Sequence, residues 1–123
     1  MWTEIISVCK ELMQHYFNSK KEDKEKLAKL FSSISEILQE TSIKLSNDEY
    51  PHYHCSIMNS LSQELIMYCT GVIEDNKTIK FTDMLLECSK LEREYANRQD
   101  PNSIKTLMVS AGEFKSLSML LGE

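Results

Sequence analysis

Between Lys24 and Leu45 the chain reads KEKLAKLFSSISEILQETSIKL, and its large apolar residues stand at Leu27, Leu30, Phe31, Ile34, Ile37, Leu38 and Leu45. At about 100° per residue these positions fall within an arc of roughly 120°, the signature of a helix packed along one face. The other side is mostly Lys, Glu, Gln and Ser, with Ile43 as the exception. An isolated helix of this kind is marginal in water, because most helical stability comes from tertiary packing. The remaining chain must therefore supply partners for the stripe.

What the rest can offer is narrowed by its breakers. Only three Gly and two Pro occur in 123 residues, so few positions interrupt a helix, and Leu, Glu, Lys, Met and Ser are abundant. An all-α fold follows. A chain of this length is one domain, residues 1–123, and buries roughly two-thirds of its unfolded surface, enough for a core without staples.

Along the chain, residues 2–17 place Ile5, Cys9, Leu12, Met13 and Tyr16 on one face of a first helix. Asn18 and Ser19 break it, and Ser19 with Glu22 has the spacing of a capping box for a second helix over 20–46. The polar turn Asn47-Asp48-Glu49 precedes Tyr50-Pro51, and Pro suits the first turn of a third helix over 51–73. Its apolar positions, from Cys55 through Val72, cover nearly half the circumference, which predicts that this helix is the most enclosed. A fourth helix, 79–97, starts from a Thr78 or Thr82 cap and presents Phe81, Met84, Leu85, Cys88, Leu91 and Tyr95. Thr78-Ile79-Lys80-Phe81 has strand-like composition, but a lone strand finds no partner. After the loop Arg98–Ser103, with Asp100-Pro101 as a start signal, a last helix over 102–121 uses Ile104, Leu107, Met108, Ala111, Phe114, Leu117 and Leu121. The small pair Ala111-Gly112 in its middle suits close approach of a neighbour. Loops of roughly four to eight residues make this an up-and-down bundle of four to five helices with sequential helices side by side. Nothing in the pattern resolves a sixth helix.

Charge and thiols exclude several function classes. Nineteen acidic against fourteen basic residues give a formal charge of −5, and only Arg93 and Arg98 are arginine. Phosphate and base-edge readers rely on Arg forks, and the positives at Lys20, Lys21, Lys24, Lys26 and Lys29 are interrupted by acids, so no nucleic-acid partner is expected. Cys9, Cys55, Cys69 and Cys88 sit in apolar frames at spacings of 46, 14 and 19, which fit no zinc module. The opening MWTEIISVCKE lacks the basic and apolar regions of a secretory signal, and no run approaches the ~18 apolar residues of a membrane span. The expectation is a cytoplasmic chain with reduced thiols and no membrane partner.

Two places invite a chemical reading. The first is Tyr50-Pro51-His52-Tyr53-His54-Cys55, where imidazole and thiol, both transition-metal ligands, gather at a helix start. His52 and His54 are about 200° apart on a regular helix, however, and a helical chelate needs i, i+3 or i, i+4. The plainer reading puts His54 against the core and His52 in solvent. The second is Glu92, which falls inside the arc of Phe81, Leu85, Cys88 and Tyr95 and so lies either at the bundle rim or buried with a partner. Neither His15 nor His54 is followed by the small residue and Lys of a phosphotransfer histidine. No nucleophile elbow or glycine-rich phosphate loop is present, and no cofactor is implied. Met67, Met119, Ile43, Leu86 and Leu120 lie off the stripes. Clustered on one surface, they would mark a docking face or a dimer seam. The sequence thus points to a non-enzymatic interaction or regulatory module, through a protein partner or self-association. The alternative is a bundle holding a metal or small ligand with Tyr50–Cys55, the candidates being His52, His54, Cys55 and Glu92.

Overall fold

The computed structural model describes residues 1–122, and the packing within it is set by the stripe between Lys24 and Leu45. Those residues lie in α2 (Lys21–Ser46), and all seven stripe residues are buried, joined by Ala28, Ser35, Thr41 and Ser42. Helix α6 (Pro101–Leu120) runs antiparallel along α2. Two hydrogen bonds fix the register: the Ser35 hydroxyl donates to the Ala111 carbonyl at 2.7 Å, and the Ser118 hydroxyl donates to the Ala28 carbonyl at 2.8 Å. Each bond uses a small residue facing another, which lets the two backbones approach and leaves the buried hydroxyls satisfied. Between them Phe31 and Phe114 meet with ring centroids 6.0 Å apart.

The other long helices complete a ring. Helix α1 (Trp2–Tyr16) packs on α6 and on α4 (Asp75–Ser89), while α3 (His52–Cys69) packs on α2 and α4. The order around the core is therefore α1, α6, α2, α3, α4. Helix α6 lies between α1 and α2, so these two are not the side-by-side pair that their short connection predicts. The close seam that α2 and α6 make with small residues takes precedence over loop length. One hydrophobic core runs through all five helices and includes Leu91 beyond α4. The fold is an all-α bundle with no strand among the described residues, and Thr78–Phe81 lies inside α4. No described helix is long and apolar enough to cross a membrane.

Several local expectations are corrected. The third helix is not the most enclosed: five of its 18 residues are buried, against eleven of 26 in α2, because only α2 is flanked by both α3 and the tight α6 seam. The Ser19–Glu22 capping box does not form; Lys20 holds the cap position of α2 without a side-chain bond. Helix α4 starts at Asp75, a turn earlier than a Thr78 or Thr82 cap requires. Both threonines bond backwards within the helix instead, Thr78 Oγ1 to the Glu74 carbonyl at 3.1 Å and Thr82 Oγ1 to the Thr78 carbonyl at 2.8 Å. The fourth helix over 79–97 is in fact two, since α4 ends at Ser89 and a short α5 (Glu92–Ala96) follows, giving six helices among the described residues. Leu91 makes the break, with φ +57° and its side chain fully buried. The start of α6 is as expected, with Pro101 in the first turn and the Asp100 carboxylate accepting from the Asn102 N–H at 3.0 Å.

Candidate functional site

The Tyr50–Cys55 segment is tied to its surroundings residue by residue. Tyr50 packs between two rings, tilted at 4.3 Å from His52 and edge-on at 4.8 Å from Tyr95. Arg98 lies over the Tyr95 ring, its guanidinium 4.2 Å from the centroid and its Nε 3.2 Å from Asp48 Oδ1. These contacts clamp the α2–α3 turn onto α5. His54 is buried, and its Nε2 lies 3.1 Å from Glu40 Oε2 on α2, while His52 is exposed. The two imidazoles diverge, as the two-residue spacing requires. Cys55 donates its S–H to the Lys90 carbonyl at 2.7 Å. Lys90 is the C-cap of α4, so the thiol satisfies a carbonyl that the helix end leaves without an intrahelical partner.

Glu92 is not in the apolar arc. It is exposed, and Glu94 is the buried carboxylate, at 5% exposure. The left-handed turn at Leu91 resets the helical phase, so positions counted on from Cys88 no longer face the core. Glu94 Oε1 accepts from the Trp2 indole N–H at 3.3 Å and from Arg93 Nη2 at 3.4 Å. Nothing in the sequence pattern distinguishes Glu94 from its neighbours; only the break reveals it. A pocket of about 280 Å³ opens beside it, lined by Thr3, Arg93, Asn97 and Ser103 among others, with the charge of Glu94 already met by Arg93.

The thiols are not primed for attack. Burial pushes Cys69 up to about 12 and Cys88 up to about 11, and raises Cys9 and Cys55 as well. All four are free, and as protonated thiols they are poor nucleophiles and poor metal ligands. Among the described residues no group of three or more His, Cys, Asp or Glu side chains converges as a metal site requires. His52, His54, Cys55 and Glu92 are thus not brought together.

A different surface stands out. Met108, Val109, Met119 and Leu120 are between 46% and 62% exposed and share one 120° arc of α6, on the side away from the core. Met119 and Leu120 are off-stripe in the sequence, as expected. Met108, counted there with the core, is exposed, and Val109 was missed. Helix α6 is apolar around most of its circumference, which makes periodicity a poor guide to its buried side. In the middle of the exposed arc sits Gly112, where an added Cβ would meet nothing within 4 Å. Glycine costs about 1 kcal/mol relative to Ala in a helix interior, and no contact within the chain requires it. Comparisons with protein-family models, curated proteins and solved structures find no match. The reading of this surface therefore stands on its own chemistry. Two grooves border the arc. One, of about 400 Å³, runs against α2 past Ser32, Glu36 and Gln39; the other, of about 370 Å³, runs against α1 past Thr3 and Ile6.

Proposed function

We propose that this chain is a non-enzymatic interaction module whose contact surface is the outer face of α6. The observation that supports it is the clustering of Met108, Val109, Met119 and Leu120 on one arc of a 20-residue helix. They leave large apolar side chains in water along one side of the helix, and exposed apolar surface of this kind marks contact sites on soluble proteins. Lys105 is the one charged residue near the centre of the arc, and its long stem can cover apolar surface while the ammonium stays wet. Single exposed apolar residues elsewhere, such as Met67 and Ile79, need no such account. Four free thiols, three of them buried, suit a reducing cytoplasm, which we propose as its location.

The alternative, a metal or small ligand held by Tyr50–Cys55, draws no support from the geometry. His54 is engaged by Glu40, Cys55 by the Lys90 carbonyl and His52 by Tyr50. The contact reading is tested by a benzophenone photocrosslinker in place of Val109 in living cells, with the same group at exposed Asn59 of α3 as control. Discrete adducts from position 109, absent from position 59, are expected. No adduct from position 109 beyond the control overturns the proposal.

A further inference from the structure

The outer face of α6 has an order along its length that constrains its partner. Bulky residues stand at 108 and 109, small ones at Gly112 and Ser116, and bulky ones again at 119 and 120. We infer that this face pairs with the same face of a second copy of the chain, the two α6 helices antiparallel about a two-fold axis at Gly112. The inference rests on the reading of α6 as the contact surface and names its partner.

Symmetry supplies the first argument. An isologous interface must be self-complementary, so each residue meets its mirror position across the axis. With the axis at Gly112, Met108 of one copy comes to the level of Ser116 in the other and Val109 to that of Lys115. Met119 comes to the level of Lys105, whose stem is apolar, and Leu120 to that of Ile104. The two Gly112 residues meet at the axis, where the lack of a Cβ allows close approach of the backbones. This gives the glycine, which no contact inside the chain requires, a structural use.

Charge supplies the second. The Ser35–Ala111 and Ala28–Ser118 hydrogen bonds set Glu36 of α2 at the level of Ser110, along the edge of the α6 face, and Glu36, Met108 and Lys115 line one groove. A two-fold axis through Gly112 carries Lys115 of the second copy to the level of Val109, one residue away, on the same edge. Lys115 then meets Glu36 of the other copy, twice by symmetry. Within its own chain Lys115 reaches the Ser32 hydroxyl at 3.3 Å, and neither it nor Glu36 makes an ion pair among the described residues.

The test is sedimentation equilibrium of the purified chain from micromolar to millimolar concentration. The native protein is expected to reach twice the 14.3 kDa chain mass. Gly112→Leu, which has open space inside the chain, is expected to keep the helical circular dichroism and weaken the dimer at least about tenfold. Lys115→Glu and Glu36→Lys are each expected to weaken it roughly tenfold through two symmetric pairs, and the double variant to recover the native constant within about threefold. A native chain that stays at 14.3 kDa throughout, a dimer indifferent to Gly112→Leu, or a double variant that fails to recover overturns the inference. The crosslinker at position 109 separates this failure from that of the underlying reading. Adducts of other masses with a monomeric chain overturn the second copy alone, and absence of adducts overturns both.

Discussion

At the α3–α5 end of the bundle the polar and reactive groups are engaged with one another, whereas on the outer face of α6 the apolar groups are engaged with nothing. The first region holds two histidines, a thiol, a tryptophan N–H, a buried carboxylate and both arginines, the inventory one would search for chemistry. Each member is taken up by a structural contact: His54 by Glu40, His52 by the Tyr50 ring, Cys55 by the Lys90 carbonyl, Trp2 and Arg93 by Glu94, and Arg98 by Asp48. The second region has almost no chemistry and, among the described residues, its apolar side chains stay largely exposed. The contrast teaches that reactive residue types mark a site only when something is left for a ligand to satisfy. Water-exposed apolar surface, by the same reasoning, marks a place where a partner lowers the free energy.

The largest effect expected separates the two sides of α6. Phe114, fully buried against Phe31, should cost about 3–5 kcal/mol when replaced by Ala, through lost burial and the cavity left behind. Met119→Ser, three-fifths exposed on the outer side, should change the stability of the isolated chain by no more than about 0.5 kcal/mol. Urea denaturation of both variants at low concentration, where any partner is dissociated, checks this. Comparable losses would mean that the outer face is packed within the chain, and the contrast would collapse.

A smaller loss should come from Glu94→Ala. It strips the buried Trp2 indole of its acceptor and Arg93 of its nearest carboxylate, at about 1–3 kcal/mol. Glu92→Ala, two residues away and exposed, should stay within about 0.5 kcal/mol. Equal effects in thermal or urea melts would show that the α4–α5 break does not divide these residues as described.

Much of the bundle was legible because its stripes are clean. All seven stripe positions of α2 are buried, and the Asn18–Ser19 break and the Asp100-Pro101 start lie where the residues put them. The α4–α5 break was not legible, because Leu-Glu-Arg-Glu-Tyr contains neither Gly nor Pro and is locally good helix. Burial of Leu91 holds it in a left-handed conformation that its own propensity disfavours. Counting onward at 100° per residue puts Glu92 within the apolar arc, at the rim or buried with a partner, the rim being the plainer reading, and gives no hint of Glu94. The outer face of α6 was half legible: Met119 and Leu120 fell off the stripe, but a helix apolar on two sides gives no phase by which to exclude Met108 from the core. The ring order was hidden for another reason. Ser35, Ser118 and Ala28 read as ordinary polar and small residues until their hydrogen bonds show that they join α2 to α6.

Alkaline pH should sharpen the contrast from the side of the buried thiols. In the unfolded chain the thiols ionise near their ordinary value of 9.0, whereas burial holds Cys88 at about 11 and Cys69 at about 12 in the folded chain. Above pH 9 the unfolded state therefore binds fewer protons than the folded one, and stability falls as pH rises toward those folded values. Below pH 9 this contribution is fully present and flat. Melting temperatures from pH 7 to 11 should show the decline beginning near 9, with a shallower slope in Cys69→Ala. An unchanged slope in that variant would mean that the thiol is not protected from ionisation by the fold.

The finest test concerns Cys55. Its S–H donates to the Lys90 carbonyl and its sulfur also accepts from the Tyr50 hydroxyl, so Cys55→Ala should cost about 0.5–1.5 kcal/mol. Cys55→Ser keeps a donor at the same position and should recover part of that loss, which a merely space-filling role would not allow, since Ser is smaller and more polar than the thiol it replaces. If Ala is the better tolerated of the two in urea melts, the thiol is there for its bulk. The α3–α5 end would then hold one group not taken up by a polar contact, and the line drawn between the two regions would have to be moved.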